Sequence, residues 1–327
     1  MPDHHADALA QLGAGYRHVA VVGTPGPETG ATVLSALRAG AGKGSPVVLA
    51  CSAPLVDALL PALPDAAVHT VDPASLSGRA PDALAGYSAL VDRFAPADGA
   101  RVQVVTDTAT PPRGGRLVWL QTEALLDQVL ADQPVDHYCV LDPADLGEEA
   151  DRALACHRGR MDGEGPTPNP ARRDPAEILR TLWSAHEPDP LESTPPTLAL
   201  EDVTDMRGLR RALTACFADG PMDPDDAEDL VLAIDEVTAN AAEHGVPPVD
   251  VRVWVTPTRV LCAVADRGPG FDAPLAGYGP AHGGDLSVGG MGLWLARRAV
   301  DRMTTAPIDD DGDGCVVRLV IDPRHTA

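Results

Sequence analysis

The chain has 327 residues, 44% of them apolar, and a formal net charge of −23 at pH 7. This length is enough for two domains of ordinary size. Residues 1–197 hold 26 acidic and 14 basic side chains and residues 198–327 hold 22 and 11, so the halves carry −12 and −11. Because binding to phosphate backbones needs clustered Lys and Arg, this pattern argues against nucleic acid as a direct partner.

The cysteines and the N-terminal residues indicate the compartment. The six cysteines form no CxxC pair, and such scattered cysteines are typical of buried thiols in a reducing compartment. Cys156-His157 offers two metal-ligating side chains, but no matching pair lies near it in the sequence, so a metal site there is disfavoured. The first residues lack a secretory signal, and no apolar run approaches the roughly 20 residues of a membrane span. We therefore expect a cytoplasmic protein without membrane contact.

Residues 16–160 alternate short apolar runs with helical stretches. The predicted strands are 18–23, 46–51, 67–71, 101–105 and 137–141, and the predicted helices are 29–40, 80–94, 116–131 and 145–159. Apolar strands separated by helices indicate a mostly parallel sheet covered on both faces, an α/β/α sandwich. The string VVGTPGPETGAT resembles a phosphate-binding loop. However, it lacks Lys-Ser/Thr after Gly30, which favours an ordinary strand-to-helix turn.

Residues 162–197 are dense in Pro, Gly and charged residues, with one short helix expected at 176–183. This composition predicts a linker between domains at 1–161 and 198–327.

The second domain opens with a predicted strand at 197–201 and a helix at 205–218. A longer helix is expected to begin at an N-cap, Asp223, and to stop at Gly245. Strands at 249–255 and 259–266, a helix at 290–302 and strands at 303–307 and 315–321 follow, the last two joined by a hairpin turn, DDDGDG. Helices followed by antiparallel strands indicate a two-layer α/β sandwich.

The longer helix carries a polar stripe. Glu236, Asn240 and His244 are spaced four apart and share one side of the helix. A neighbouring apolar stripe, expected to face the sheet, consists of Leu230, Ile234, Val237 and Ala241. A solvated helix face has the same pattern, so this helix alone does not establish a site.

Two glycine-rich segments add to this pattern. Asp266 closes an apolar strand and precedes Gly268 and Gly270, so the backbone beyond it can approach a ligand closely. A carboxylate there can accept a hydrogen bond from an exocyclic amine such as that of adenine. Gly290 and Gly292 open a helix, where free N–H groups and the helix dipole favour phosphate.

In this order the three segments resemble the N-, G1- and G2-boxes of the gyrase, chaperone and histidine-kinase ATPases. DEVTANAAEHG, VADRGPGF and GGMGLWLARRAVD are most similar to the anti-sigma factor branch, over about residues 200–321. The resemblance implies the Bergerat ATPase fold, with ATP and Mg²⁺ as cofactors. It also implies a serine/threonine kinase with an anti-anti-sigma (STAS-type) partner, a sigma factor as a further partner, and a homodimer.

The same resemblance implies roles for individual residues. Glu236 is the expected general base, Asn240 the expected Mg²⁺ ligand and Asp266 the expected adenine contact, while residues 272–288 are the expected lid. The implied nucleotide-contacting residues are Asn240, His244, Asp266, Gly268, Gly270, Gly290, Met291, Gly292, Leu293 and Cys315.

Two positions depart from the family pattern. Gly314-Cys315 stands where the family has Gly-Thr, and Met291 replaces a polar residue between the glycines. The departures leave two alternatives open: a nucleotide-gated protein-binding module without phosphotransfer, and ATP hydrolysis that drives a conformational switch. Histidine autophosphorylation is not expected, because residues 162–197 are too short and proline-rich for a dimerisation helix pair, and His186 does not lie on a long helix.

Residues 16–160 resemble a divergent MEDS domain, a sensory input domain of methanogen and methylotroph regulators. The matching residues are His18, Glu123, Tyr138, Cys139, Asp142 and His157. The resemblance implies that this domain senses a small ligand, whose identity the sequence does not give. Each of these side chains alone is also compatible with an ordinary core or capping position.

Overall fold

The computed structural model describes residues 8–63, 67–109, 115–184, 188–270, 273–279, 290–308 and 314–323. The chain divides into two compact units, residues 1–78 with 82–178 and residues 79–81 with 179–327. In the part of the chain that the structure describes, no helix has both the length and the apolar character needed to cross a membrane.

A seven-stranded sheet forms the centre of the first unit. Its strands are β1 (Arg17–Val22), β2 (Val47–Ala50), β3 (Val68–Thr70), β4 (Val102–Asp107), β5 (Val135–Leu141), β6 (Gly159–Asp162) and β7 (Gly165–Pro168). They lie in the order β3-β2-β4-β5-β1-β6-β7. All neighbours run parallel except β7, which is antiparallel to β6. Strands β2, β4 and β5 are buried along their whole length, as their continuous apolar sequences predicted.

Helices connect these strands. They are α1 (Pro27–Ala41), α2 (Ala53–Leu59), α3 (Ala80–Phe94), α4 (Gly115–Val129), α5 (Pro143–Leu146), α6 (Ala150–Ala155) and α7 (Pro175–Ser184). The glycine-rich string after β1 is a strand-to-helix turn, and Gly30 lies inside α1. The predicted α/β architecture with a mostly parallel sheet is confirmed.

The predicted linker at 162–197 contains ordered structure. Strand β7 and helix α7 fall within it, and the two units divide inside α7, between Ile178 and Leu179. Further along, the Glu192 carboxylate accepts hydrogen bonds from Arg318 at 2.6 and 3.0 Å. Proline-rich composition is compatible with such elements, because proline also suits strand edges and the first turn of short helices, as in the 3₁₀ turn Pro190–Ser193.

The second unit is a two-layer sandwich. Its strands are β8 (Leu198–Leu200), β9 (Asp250–Thr256), β10 (Arg259–Asp266), β11 (Arg302–Pro307) and β12 (Cys315–Ile321), and its helices after α7 are α8 (Met206–Phe217), α9 (Pro224–His244) and α10 (Gly290–Ala299). The antiparallel strands lie in the order β11-β12-β10-β9-β8. The helices and one sheet face share a core that includes the predicted α9 stripe, with Leu230, Ile234 and Val237 buried.

The start of α9 follows from its sequence. The Asp223 carboxylate accepts hydrogen bonds from the backbone N–H groups of Asp225 at 2.9 Å and Asp226 at 3.3 Å. Because the first N–H groups of a helix have no partner within it, this predicted N-cap fixes where α9 begins. The end of α9 then carries Asn240 and His244 to the edge of the sheet.

Candidate functional site

A cavity of about 170 Å³ lies between α9 and the sheet of the second unit. The described residues that line it are Val237, Asn240, Ala241, His244, Gly245, Asp266, Gly268, Pro269, Gly270, Leu293, Met303, Thr305, Cys315 and Val317. Most of these side chains are apolar, and the polar groups stand at a few positions. This composition is typical of a small-molecule site.

Asp266 is the fixed polar group of this cavity. It closes β10, lies opposite Cys315 on β12 and is only 7% exposed. Its Oδ1 accepts hydrogen bonds from the N–H groups of Gly268 at 2.6 Å and Val246 at 3.2 Å. No described residue donates a hydrogen bond to Oδ2. One oxygen therefore holds the carboxylate in place, and the other is available to a ligand.

Two glycines permit this arrangement. A Cβ at Gly245 would lie 2.5 Å from Asp266 Oδ1 and 2.6 Å from the carbonyl oxygen of Ala241, and a Cβ at Gly268 would lie 2.7 Å from Asp266 Oδ1. We predicted Gly245 as a helix stop. It does end α9, but its backbone is extended, with φ −87°. Close approach to Asp266, rather than a left-handed conformation, requires glycine here.

The three residues of the polar stripe on α9 lie in different surroundings. Asn240 is half-buried and His244 is exposed, and both line the cavity. Glu236 is half-buried and is not among the described lining residues. Its carboxylate lies against Gly292 of α10, where an added Cβ would overlap Oε2. The expected general base thus lies between α9 and α10.

Of the predicted nucleotide-contacting residues at the start of α10, Leu293 lines the cavity and is buried. Gly290 is the first residue of α10, and Met291 is exposed. Neither of these two is among the described residues that line the cavity.

The predicted lid at 272–288 is described only at 273–279; the rest lies outside the described residues. In the described part, Ala276 and Tyr278 are buried. Arg297 of α10 donates hydrogen bonds to Ala276 O at 3.0 Å and to the Tyr278 hydroxyl at 3.1 Å. Burial lowers the pKa of this guanidinium, and Tyr278 acts in the opposite direction. These contacts join residues 273–279 to α10, and the lid over 272–288 stays a prediction.

Thr305 is a site residue that no sequence motif indicated. Thr305 on β11 is buried and lines the cavity near Cys315, the position where the family has threonine. Met303 and Thr305 alternate along β11 and both line the cavity. This period of two, read along the strand, was the signal that could have found them.

The residues that carry the N-terminal resemblance have different environments. The Asp142 carboxylate accepts a hydrogen bond from Ala144 N at 2.9 Å and so caps α5, and Tyr138 and Cys139 are buried on β5. His18, Glu123 and His157 come together inside the first unit.

Comparison with known proteins assigns part of the chain. Residues 200–321 match the family model of the histidine kinase-like ATPase domain. No curated protein matches the chain. Among solved structures, the NMR structure of the histidine kinase domain of the E. coli osmosensor EnvZ aligns with 18% identity over 41% of this chain and 93% of that chain, with a TM-score of 0.26. Residues 200–321 are therefore similar to the histidine kinase-like ATPase domain, and the description of that family implies ATP binding.

Proposed function

We propose that the protein binds ATP with Mg²⁺ in the α9 cavity and acts as a serine/threonine protein kinase of the anti-sigma factor type. Its substrate is an anti-anti-sigma protein of the STAS type, and a sigma factor is a further partner. The first unit acts as the sensory domain that controls this kinase. The observation that supports the proposal best is the Asp266 carboxylate, held by two backbone N–H groups at the wall of a mostly apolar cavity.

Adenine suits this cavity chemically. Its flat ring can pack against apolar side chains, among them Val237, Met303 and Val317. Its exocyclic amine needs an acceptor, and Asp266 Oδ2 is such an acceptor. A hydrogen bond to an ionised group is worth about 1.5–3 kcal/mol, enough to select an amine-bearing ring.

Phosphates need a cation at this site. The described residues that line the cavity include no Lys or Arg. Asn240 lines it, and its side-chain amide has no hydrogen-bond partner among the described residues, so the amide oxygen fits a Mg²⁺ ligand. Because Mg²⁺ keeps several water and phosphate oxygens, one protein ligand is sufficient. When bound, the ion would neutralise the phosphate charge.

Glu236 is the proposed general base. It lies one helical turn before Asn240 on the same stripe, next to Gly292 at the start of α10. A carboxylate in that place can accept the proton of a serine hydroxyl as the oxygen attacks the terminal phosphate.

Phosphotransfer to a purified STAS-type protein tests this function. The full chain is incubated with radiolabelled ATP, Mg²⁺ and the STAS protein, and label on the STAS protein is measured. Glu236→Gln should lower transfer by about 10²-fold or more and leave ATP binding intact. Glu243→Gln, an exposed position on the same helix, is the matched control and should retain transfer. Equal transfer by Glu236→Gln and the wild type would remove Glu236 from the mechanism.

One observation favours a second function, a nucleotide-gated protein-binding module without phosphotransfer. Glu236 packs against Gly292 and is not among the described cavity-lining residues. In that case ATP should change the affinity for the STAS protein at least fivefold, with no label on it. A pull-down with ATP, with ADP and without nucleotide separates the two functions. ATP hydrolysis without partner phosphorylation would indicate the third alternative, a hydrolysis-driven switch.

A further inference from the structure

His18, Glu123 and His157 form a buried cluster in the first unit. They come from β1, from α4 and from the residues after α6, and each is at most 1% exposed. His18 Nε2 lies 3.2 Å and His157 Nε2 lies 3.4 Å from Glu123 Oε2. One ligand-capable atom from each residue lies within 4.8 Å of the others.

Four buried polar atoms of this cluster have no hydrogen-bond partner among the described residues. These buried atoms are His18 Nδ1 and Nε2, Glu123 Oε2 and His157 Nε2. Leaving a buried polar atom unsatisfied costs about 1–3 kcal/mol, and more when the atom belongs to a charged group. So many unsatisfied atoms in one place call for a partner that the chain itself does not provide.

Neighbouring groups orient the ligands. His157 Nδ1 lies 2.8 Å from the carbonyl oxygen of Ala153, which accepts only if Nδ1 carries the proton. With the proton on Nδ1, the lone pair of Nε2 points toward Glu123. This is the usual tautomer of a metal-ligating histidine.

A third imidazole ring, that of His137, stands beside the cluster without joining it. It stacks on His18 with ring centroids 4.9 Å apart. Its Nδ1 lies 2.6 Å from the Tyr16 hydroxyl and its Nε2 lies 2.7 Å from the Thr106 hydroxyl, so both nitrogens have partners. Neither ring nitrogen of His18 has a hydrogen-bond partner in the described part of the chain. This difference distinguishes His137, a core histidine, from His18, a proposed metal ligand.

Glu123 also lacks a compensating cation. Among the described residues, His18 and His157 are the only basic side chains within 4 Å of its carboxylate, and no Arg or Lys reaches it. A buried carboxylate among neutral groups costs several kcal/mol unless a positive ion is present.

We propose that His18, Glu123 and His157 bind a divalent transition metal ion of the zinc class inside the first unit. Two neutral imidazoles and one carboxylate are a known ligand set for Zn²⁺ and for its first-row neighbours. In a four-coordinate ion they leave one position for water or a small exogenous ligand. This site does not depend on ATP binding in the second unit.

Metal analysis of the full chain tests the proposal. Protein isolated from zinc-supplemented medium should contain about one zinc ion per chain. Because the site is buried, the ion is removed by unfolding in chelator, and the protein is refolded with Co²⁺ as the spectroscopic probe. Bound Co²⁺ should show ligand-field absorption without a sulfur-to-cobalt charge-transfer band, since the ligands are nitrogen and oxygen. This spectrum requires no variant.

Two variants assign the ligands. Glu123→Gln keeps the shape of the side chain and should weaken Co²⁺ binding at least tenfold. His69→Gln, at an exposed histidine of β3, is the matched control and should bind like the wild type. The proposal would be overturned if the wild-type protein held no metal after both preparations. A thiolate-to-cobalt charge-transfer band would also overturn it, as would unchanged Co²⁺ binding in Glu123→Gln.

Discussion

Gly268 donates its backbone N–H to Asp266 Oδ1 across 2.6 Å, and a Cβ on Gly268 would lie 2.7 Å from that same oxygen. The glycine therefore both holds the carboxylate and leaves space for it. Gly245 confines the same oxygen from another side. Because Oδ1 is fixed by these contacts, the orientation of the whole carboxylate, and with it the position of Oδ2, is fixed too. The geometry of the proposed adenine contact therefore depends on these two glycines.

Gly268→Ala is expected to weaken ATP binding about tenfold or more, because the methyl group displaces the carboxylate and a charge-assisted hydrogen bond is lost. Titration calorimetry with Mg-ATP measures the loss. Gly163→Ala is the control, since nothing lies within 4 Å of a Cβ at this exposed turn position. If both variants bind ATP like the wild type, Asp266 is not held in the way described.

Cys315→Thr is expected to strengthen ATP binding about fivefold. The substitution places a hydroxyl opposite Asp266 in the β-ladder, and one added hydrogen bond is worth about 1 kcal/mol. Thr305→Val should act in the opposite direction by a similar factor, because it removes the hydroxyl that lines the cavity from β11. A thermal-shift titration with ATP ranks the three proteins. Weaker ATP binding by Cys315→Thr than by the wild type, together with tighter ATP binding by Thr305→Val, would contradict the roles given to these two side chains.

Removal of Mg²⁺ should weaken ATP binding by an order of magnitude or more, since the described lining residues provide no Lys or Arg for the phosphates. Titrations with and without EDTA measure the effect. In Asn240→Ala the two titrations should converge. A metal-independent affinity in the wild type would mean that other groups carry the phosphate charge.

The sequence predicted most of the second unit because its signals are local. The N-cap at Asp223 and the apolar stripe of α9 each lie within a single element. The reason for Gly245 was not predictable in this way. Its close neighbour is the carboxylate of Asp266, which belongs to a different element and is brought near only by the fold.

Local sequence signals also could not predict the cluster of His18, Glu123 and His157 in the first unit. Its three ligands come from elements far apart in the chain, so no spacing motif signals them. The sequence disfavoured a metal site at Cys156-His157 for lack of a nearby pair. The structure instead places His157 beside His18 and Glu123, while burial and the Glu123 carboxylate raise the pKa of the Cys156 thiol.

Asp223→Ala is expected to lower the free energy of unfolding by about 1 kcal/mol, because it removes the side chain that caps α9. Urea denaturation measures this difference. Asp229→Ala, at an exposed position on the same helix, should change stability by less than about 0.5 kcal/mol. Equal effects at the two positions would show that the cap contributes nothing.

The most direct test of the nucleotide site is calorimetric titration of the full chain and of Asp266→Asn with Mg-ATP and with Mg-GTP. The asparagine keeps the shape of the side chain but can place an N–H group where the adenine amine would donate. The account predicts that the wild type binds ATP in preference to GTP and that Asp266→Asn loses ATP binding by at least tenfold while remaining folded. Equal ATP affinity in the two proteins, or no ATP binding by the wild type, would contradict it.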